Sequence, residues 1–155
     1  MSKDIKKAVV LAAGSGTRLG YLGYLLPKTL FPIYDRPILH HILNLLEEIG
    51  VKKVYLVVKY HKEKIFEYLE YVKSDINIDI EFVLQEKLDG TANAILLTEN
   101  YIRENNFITI LGDEYFTQED LNPMFDFFYN SDSIALEAMI SEKNKEILKQ
   151  TCCAK

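Results

Sequence analysis

Residues 7–19 read KAVVLAAGSGTRL, and the reading of this stretch decides the fold. Lys7 to Ala12 form a short β-branched and apolar run without polar alternation, the pattern of a strand covered on both faces. The run hands over directly to Gly14 and Gly16. Glycines at such a point let the main chain adopt conformations that other residues avoid, and let a ligand approach it closely. Successive backbone N–H groups in such a loop make a concave anion site. Arg18 adds a planar, permanently charged fork suited to phosphate oxygens, and Lys28, behind Pro27, adds a compact second charge. A ligand with more than one phosphate group is the expectation. The opposing reading is a tight turn that carries a surface arginine.

Two familiar phosphate loops do not fit. The dinucleotide fingerprint needs a third glycine where Leu19 stands, and the nucleoside-triphosphatase loop needs Gly-Lys before its Ser or Thr, where this chain has Gly-Thr-Arg.

Outward from this stretch, strand and helix patterns alternate. Ile38, Leu39, Ile42, Leu43, Leu45, Leu46 and Ile49 recur at helical spacing between Pro37 and Gly50. Residues 54–58 read as a buried strand, 61–72 as an amphipathic helix and 78–84 as a partly exposed strand. A helix follows at 91–103, a strand at 107–111, a helix at 120–129 and a fifth strand, or its start, at 133–140. Phe125, Phe127, Phe128 and Tyr129 are expected in the core. His40, His41 and His61 fall on predicted helices and are assigned no chemistry. Such alternation predicts an α/β fold, doubly wound, with a mostly parallel sheet and helices on both faces.

In sheets of this kind ligands bind beyond the carboxyl ends of the strands, where the strand order reverses. In the commonest ordering the first and fourth strands are neighbours there. The loop GSGTRL would then face Gly112, Asp113 and Glu114 across one crevice.

Composition narrows the function classes. The 155 residues carry a formal net charge of -5 and are 48% hydrophobic and 26% charged, which suits a globular chain that buries a core. The acidic balance argues against general binding to nucleic acid or to a membrane surface. No apolar run is long enough to span a bilayer. The basic start and short apolar run of the N-terminus are not expected to act as a signal peptide, because the glycine loop stands where a cleavage site would. Cys152 and Cys153 are adjacent, which fits neither a structural bridge nor a zinc pattern, so a reducing cytoplasm is the expected setting.

The run LAAGSGTRL…PKTLFPIYDRPIL, together with QEKLDGTANAI at 85–95 and LGDEYF at 111–116, resembles the signature of the sugar-1-phosphate nucleotidyltransferases. That family includes the glucose-1-phosphate thymidylyl- and uridylyltransferases. The resemblance implies a Rossmann-like domain of the nucleotide-diphospho-sugar transferase type. It implies joining a nucleoside triphosphate, dTTP or UTP, to a hexose 1-phosphate with release of pyrophosphate. Leu11, Ala13 and Gly14 match positions along the nucleoside, and Ser15, Gly16 and Thr17 match the backbone cradle of the triphosphate. Arg18 matches the arginine that neutralises the departing pyrophosphate, and Lys28 the lysine near the reacting phosphates. Gln85 and Gly90 match the pair that reads the base edge, and Asp113 matches a magnesium-binding aspartate.

The chain also departs from the pattern. Gly20 and Tyr21 stand where many members have a basic residue and a proline, Glu114 stands where thymidylyltransferases often have asparagine, and the segment from Gln85 to Gly90 lacks a proline. Family catalytic domains run beyond residue 155, so the resemblance implies one domain over 1–155 that holds the N-terminal nucleotide-binding portion. The remaining part normally brings a second metal-binding aspartate and the sugar-holding residues. Its absence would leave the fourth strand as an unpaired edge, so a homo-oligomer is among the expectations. A nucleotide-binding regulatory or assembly module, or an inactive fragment of such an enzyme, is the alternative from another class. A cytidylyltransferase acting on a non-sugar phosphate is a third.

Overall fold

The computed structural model describes residues 5–103 and 105–138. In chain order the elements are β1 (Lys7–Ala12), α1 (Tyr21–Leu25), β2 (Pro32–Ile33), β3 (Arg36–Pro37), α2 (Ile38–Glu48), β4 (Lys53–Val58) and α3 (Lys62–Tyr71). Then come β5 (Asp79–Leu84), α4 (Thr91–Leu96), α5 (Glu99–Ile102), β6 (Phe107–Leu111) and α6 (Gln118–Asn130). Single 3-10 turns form at Thr17–Leu19 and Lys28–Leu30.

The main sheet has the order β5-β4-β1-β6, with every pair parallel. β1 and β6 span the residues expected from sequence. Strands in a doubly covered sheet are apolar on both faces, and this one shows why. Val9, Tyr55, Val57 and Val83 point to one face, where they cluster with Ala94 of α4 and Ile102 of α5. Ala8, Val10, Val54 and Leu56 alternate to the other face and are fully buried. The connection from β5 to β6 thus packs α4 and α5 on the face of Val9, Tyr55, Val57 and Val83. The inner stripe of α2 buries Leu39, Ile42, Leu43 and Leu46, and α3 buries Ile65 and Leu69. Each such side chain contributes about 1.5–3 kcal/mol by burial, so Leu43→Ala is among the costliest single truncations.

The structure departs from the sequence-based expectation at three places. The helix expected over 91–103 is two short helices. The Thr98 hydroxyl donates to the Ile95 carbonyl at 2.7 Å, and the Thr98 N–H donates to the same oxygen at 2.9 Å. The Thr98 carbonyl then starts α5 by accepting from Tyr101 and Ile102. A threonine that bonds back onto its own turn interrupts the helical ladder. Residues 133–138 hold no strand, and 139–140, like both cysteines, lie outside the described residues. Finally, Phe127 and Tyr129 are 59% and 40% exposed, so the expected aromatic core is not formed there. Leu121 is the buried residue of α6.

Chain contacts divide the molecule into two compact units, one ending at Gln118 and the other beginning at Glu119. The sheet and the loops of the site belong to the first. Among the described residues no helix is long and apolar enough to cross a membrane.

Candidate functional site

β1 and β6 are neighbours at the point where the strand order reverses. Leu11 registers against Leu111, and the Gly112 N–H donates to the Leu11 carbonyl at 2.9 Å. The glycine loop and the segment from Gly112 to Glu114 therefore leave the sheet side by side, as expected.

The turn that carries Lys28 closes on the same junction. A Cβ placed on Gly112 would stand 2.7 Å from Cγ2 of Thr29 and 2.8 Å from the Leu11 carbonyl oxygen. Only a glycine lets these three segments meet. Their meeting brings the Lys28 ammonium to Asp113, where Nζ donates to Oδ2 at 3.0 Å.

The glycine loop is shaped by its own backbone. Gly16 has φ +67°, in the left-handed region, and its carbonyl accepts from Leu19 at 2.9 Å to close the turn that exposes Arg18. α1 then folds back over the loop. A Cβ on Gly23 would lie 3.0 Å from the Gly16 carbonyl carbon and closer still to its oxygen. The two glycines cross backbone to backbone, and that crossing holds the loop down.

A cavity of about 60 Å³ opens at the junction, lined by Leu11, Ala12, Gly14, Lys28, Thr29 and Asp113. It has room for roughly two waters. Four residues singled out in the sequence thus meet on one wall: Leu11, Gly14, Lys28 and Asp113. Ser15, Gly16, Thr17 and Arg18 stand on the adjoining loop, with the Cβ direction of Gly16 facing Cγ of Lys28 at 3.6 Å. Ala13 turns into the apolar cluster against the sheet.

Gln85 and Gly90 are not part of this cavity wall. Gln85 follows β5, is buried, and donates its backbone N–H to Val58 at 2.9 Å. Gly90 opens α4 at φ +105°, which favours glycine. Between them, Asp89 has its carboxyl held below the usual range, first by the Asn93 side chain and further by its own backbone and the Gln85 side chain.

Sequence reasoning passed over Thr29 and Gly23, and it placed Gly112 opposite the glycine loop without seeing its role in clearing the junction. Thr29 lines the cavity, and its hydroxyl oxygen is buried with no hydrogen-bond partner among the described residues. Gly23 clears the loop, and Gly112 clears the junction. Gly112 was readable as a strand end. The other two depend on which segments touch, which no local pattern announces.

The donor set at the junction suits a hard cation. Asp113 offers an exposed carboxylate. Glu114 beside it is also exposed at its surface, yet crowding by neighbouring atoms, and then the Asp113 charge, push its carboxyl above the usual range. Among the described residues no three His, Cys, Asp or Glu side chains stand together as a ready metal cage. Magnesium usually takes one or two protein carboxylates and fills its shell with water and substrate phosphates. Asp113 fits that pattern of binding.

A model of the nucleotidyl transferase family matches residues 7–147. The chain belongs to that family. This nucleotidyl transferase family member is 36% identical over 142 residues to the bifunctional protein GlmU of Methanococcus maripaludis, which covers 92% of this chain and 32% of that protein. It is 33% identical over 110 residues to the glucose-1-phosphate thymidylyltransferase of Neisseria gonorrhoeae, covering 71% of this chain and 38% of the relative. A solved structure of UDP-glucose pyrophosphorylase in complex with UDP-glucose superposes with a TM-score of 0.69 at 26% identity, over 81% of this chain and 54% of that one. The likeness extends to the parallel sheet with its covering helices, so the fold of this nucleotidyl transferase family member is the nucleotide-diphospho-sugar transferase type. The chain spans about a third of the length of the curated relatives it matches.

Proposed function

We propose that this chain carries the nucleotide half-site of an enzyme that transfers a nucleotidyl group from dTTP or UTP to a hexose 1-phosphate, with release of pyrophosphate. The observation that carries this reading is the meeting of a cation, Lys28, and a carboxylate, Asp113, at the mouth of a cavity walled by the glycine loop.

The chemistry asks little of a general base, because a sugar phosphate is already an anionic nucleophile. Its oxygen attacks the α-phosphorus, the bond to the bridging oxygen breaks, and pyrophosphate leaves with the electron pair. The obstacle is repulsion between anions. In this reading the amides of Ser15, Gly16 and Thr17 cradle the triphosphate, Leu11, Ala13 and Gly14 run along the nucleoside, Arg18 neutralises the departing pyrophosphate, and Lys28 steadies the reacting phosphates. Gln85, with Gly90, reads the base edge through an amide that both donates and accepts. Asp113 would hold magnesium, which when bound screens the phosphate oxygens against one another. A cytoplasmic setting goes with this reading.

Titration calorimetry with dTTP and UTP, with and without magnesium, followed by a pyrophosphate-release assay on adding glucose 1-phosphate, tests it. Metal-dependent binding followed by release is the expected result, and failure of both triphosphates to bind overturns it. A second reading, nucleotide binding without turnover, draws support from Asp113 being, among the described residues, the one acidic side chain on the cavity wall. Binding without release under every pairing would select it.

A further inference from the structure

We propose that Lys28 is a stand-in cation: without nucleotide it occupies the Asp113 carboxylate, and metal and triphosphate displace it together, so the two bind as a coupled pair. This rests on the assignment of Asp113 to a metal and of Lys28 to phosphate given above. The side chains of Lys28 and Asp113 are 26% and 40% exposed, so the pair is a surface ion pair of small worth that a divalent ion can displace. The stem of Lys28 runs along the phosphate loop, with Cγ 3.6 Å from the position a Cβ of Gly16 would take. An ammonium released from Asp113 therefore stays within the sweep of a flexible four-carbon chain beside the cradle. Polyphosphate in the cradle draws Lys28 off the carboxylate, which frees Asp113 for the metal. Metal on Asp113 releases Lys28 to the phosphate, and linkage makes the two effects equal.

Manganese alone is the probe, its free concentration read by electron paramagnetic resonance in the absence of nucleotide. Lys28→Met is expected to bind manganese about two- to fivefold more tightly than the unmodified chain, the range an exposed ion pair is worth. Asp113→Asn should lose that binding. Lys73→Met removes the same charge at a surface pair with Glu70, outside the site, and should leave the affinity unchanged. Equal or weaker binding by Lys28→Met, or the same gain in Lys73→Met, overturns the proposal. In the unmodified chain, magnesium alone should shift the Cε resonance of Lys28 in carbon-detected NMR, and an unmoved resonance also overturns it, which needs no variant to fold. Calorimetry with dTTP and UTP separates the two assignments: the manganese result can hold while nucleotide binding fails, or fail while nucleotide binding holds.

Discussion

The ammonium of Lys28 lies 3.0 Å from the carboxylate of Asp113, across 85 residues of sequence. Neither residue has a local reason to find the other. They meet because β6 pairs with β1 in place of following β5, and because Gly112 lets the turn of Lys28 close on that junction.

Gly112 is accordingly hard to replace. In Gly112→Ala the new methyl must push aside Thr29 or the Leu11 carbonyl, an overpacking cost of about 1–3 kcal/mol. Urea unfolding should show a lower midpoint with an unchanged slope. The displaced Thr29 and Leu11 belong to the cavity wall, so nucleotide affinity should fall in the same variant. An alanine chain as stable as the parent would mean the junction can accommodate a methyl group.

Gly23 should separate loop geometry from overall stability. α1 lies in a surface loop, and Tyr21 and Tyr24 on it are largely exposed. Gly23→Ala should therefore unfold at nearly the parental urea concentration while binding triphosphate more weakly, because the methyl lifts the loop at Gly16. Misplacing a positioned group by about 1 Å can cost up to about 100-fold in rate. Calorimetry with triphosphate and with the bare nucleoside should show the loss confined to the phosphates.

Among the described residues the Thr29 hydroxyl has no partner, whereas its methyl lies against Gly112. Replacing a buried, unpaired hydroxyl by an apolar group of the same shape is near neutral or stabilising. Thr29→Val should thus stay within about 0.5 kcal/mol of the parent. Thr29→Ser, which deletes the methyl, should lose about 0.8 kcal/mol. The reverse order in thermal unfolding would show that the hydroxyl is paired in solution.

His40 gives the fold an acid sensitivity. The side chain is buried, with Nε2 2.9 Å from Nη1 of Arg36 and Nδ1 2.9 Å from the Tyr68 hydroxyl. A guanidinium only donates, so Nε2 accepts, Nδ1 holds the proton and the ring is neutral. Burial, then the Arg36 and His41 charges, lower its pKa below the ordinary 6.5. Asp75, which accepts from Arg36 at 3.1 Å, and Asp35 oppose this only in part. The folded chain therefore binds fewer protons here than the unfolded one. The contribution this makes to stability is complete above about pH 6.5 and is lost as pH falls through the folded value. Urea unfolding at about pH 7.5 and about pH 5 should show a drop that is smaller in His40→Gln, and an equal drop would assign the effect to other groups.

Much of the fold could be read from local pattern. The strand of Lys7–Ala12 and that of Phe107–Leu111 are continuous apolar runs ended by glycines, and the structure keeps their limits. The helix of Ile38–Glu48 announces itself by spacing. The break at Thr98 was hidden because it depends on one hydroxyl bonding back to Ile95, while the apolar spacing runs on past it. The exposed Phe127 was misread because aromatic content alone does not say which face is covered.

The sequence by itself determined the main strands, the helix of Ile38–Glu48 and the glycine loop, since these follow from side-chain branching, apolar period and the freedom of glycine within a few residues. Only the tertiary structure decided that Leu11, Lys28, Thr29 and Asp113 share one cavity and that Gly16 needs Gly23. Those relations depend on strand order and on the clearance between backbones distant in the chain, and neither is written in any local stretch.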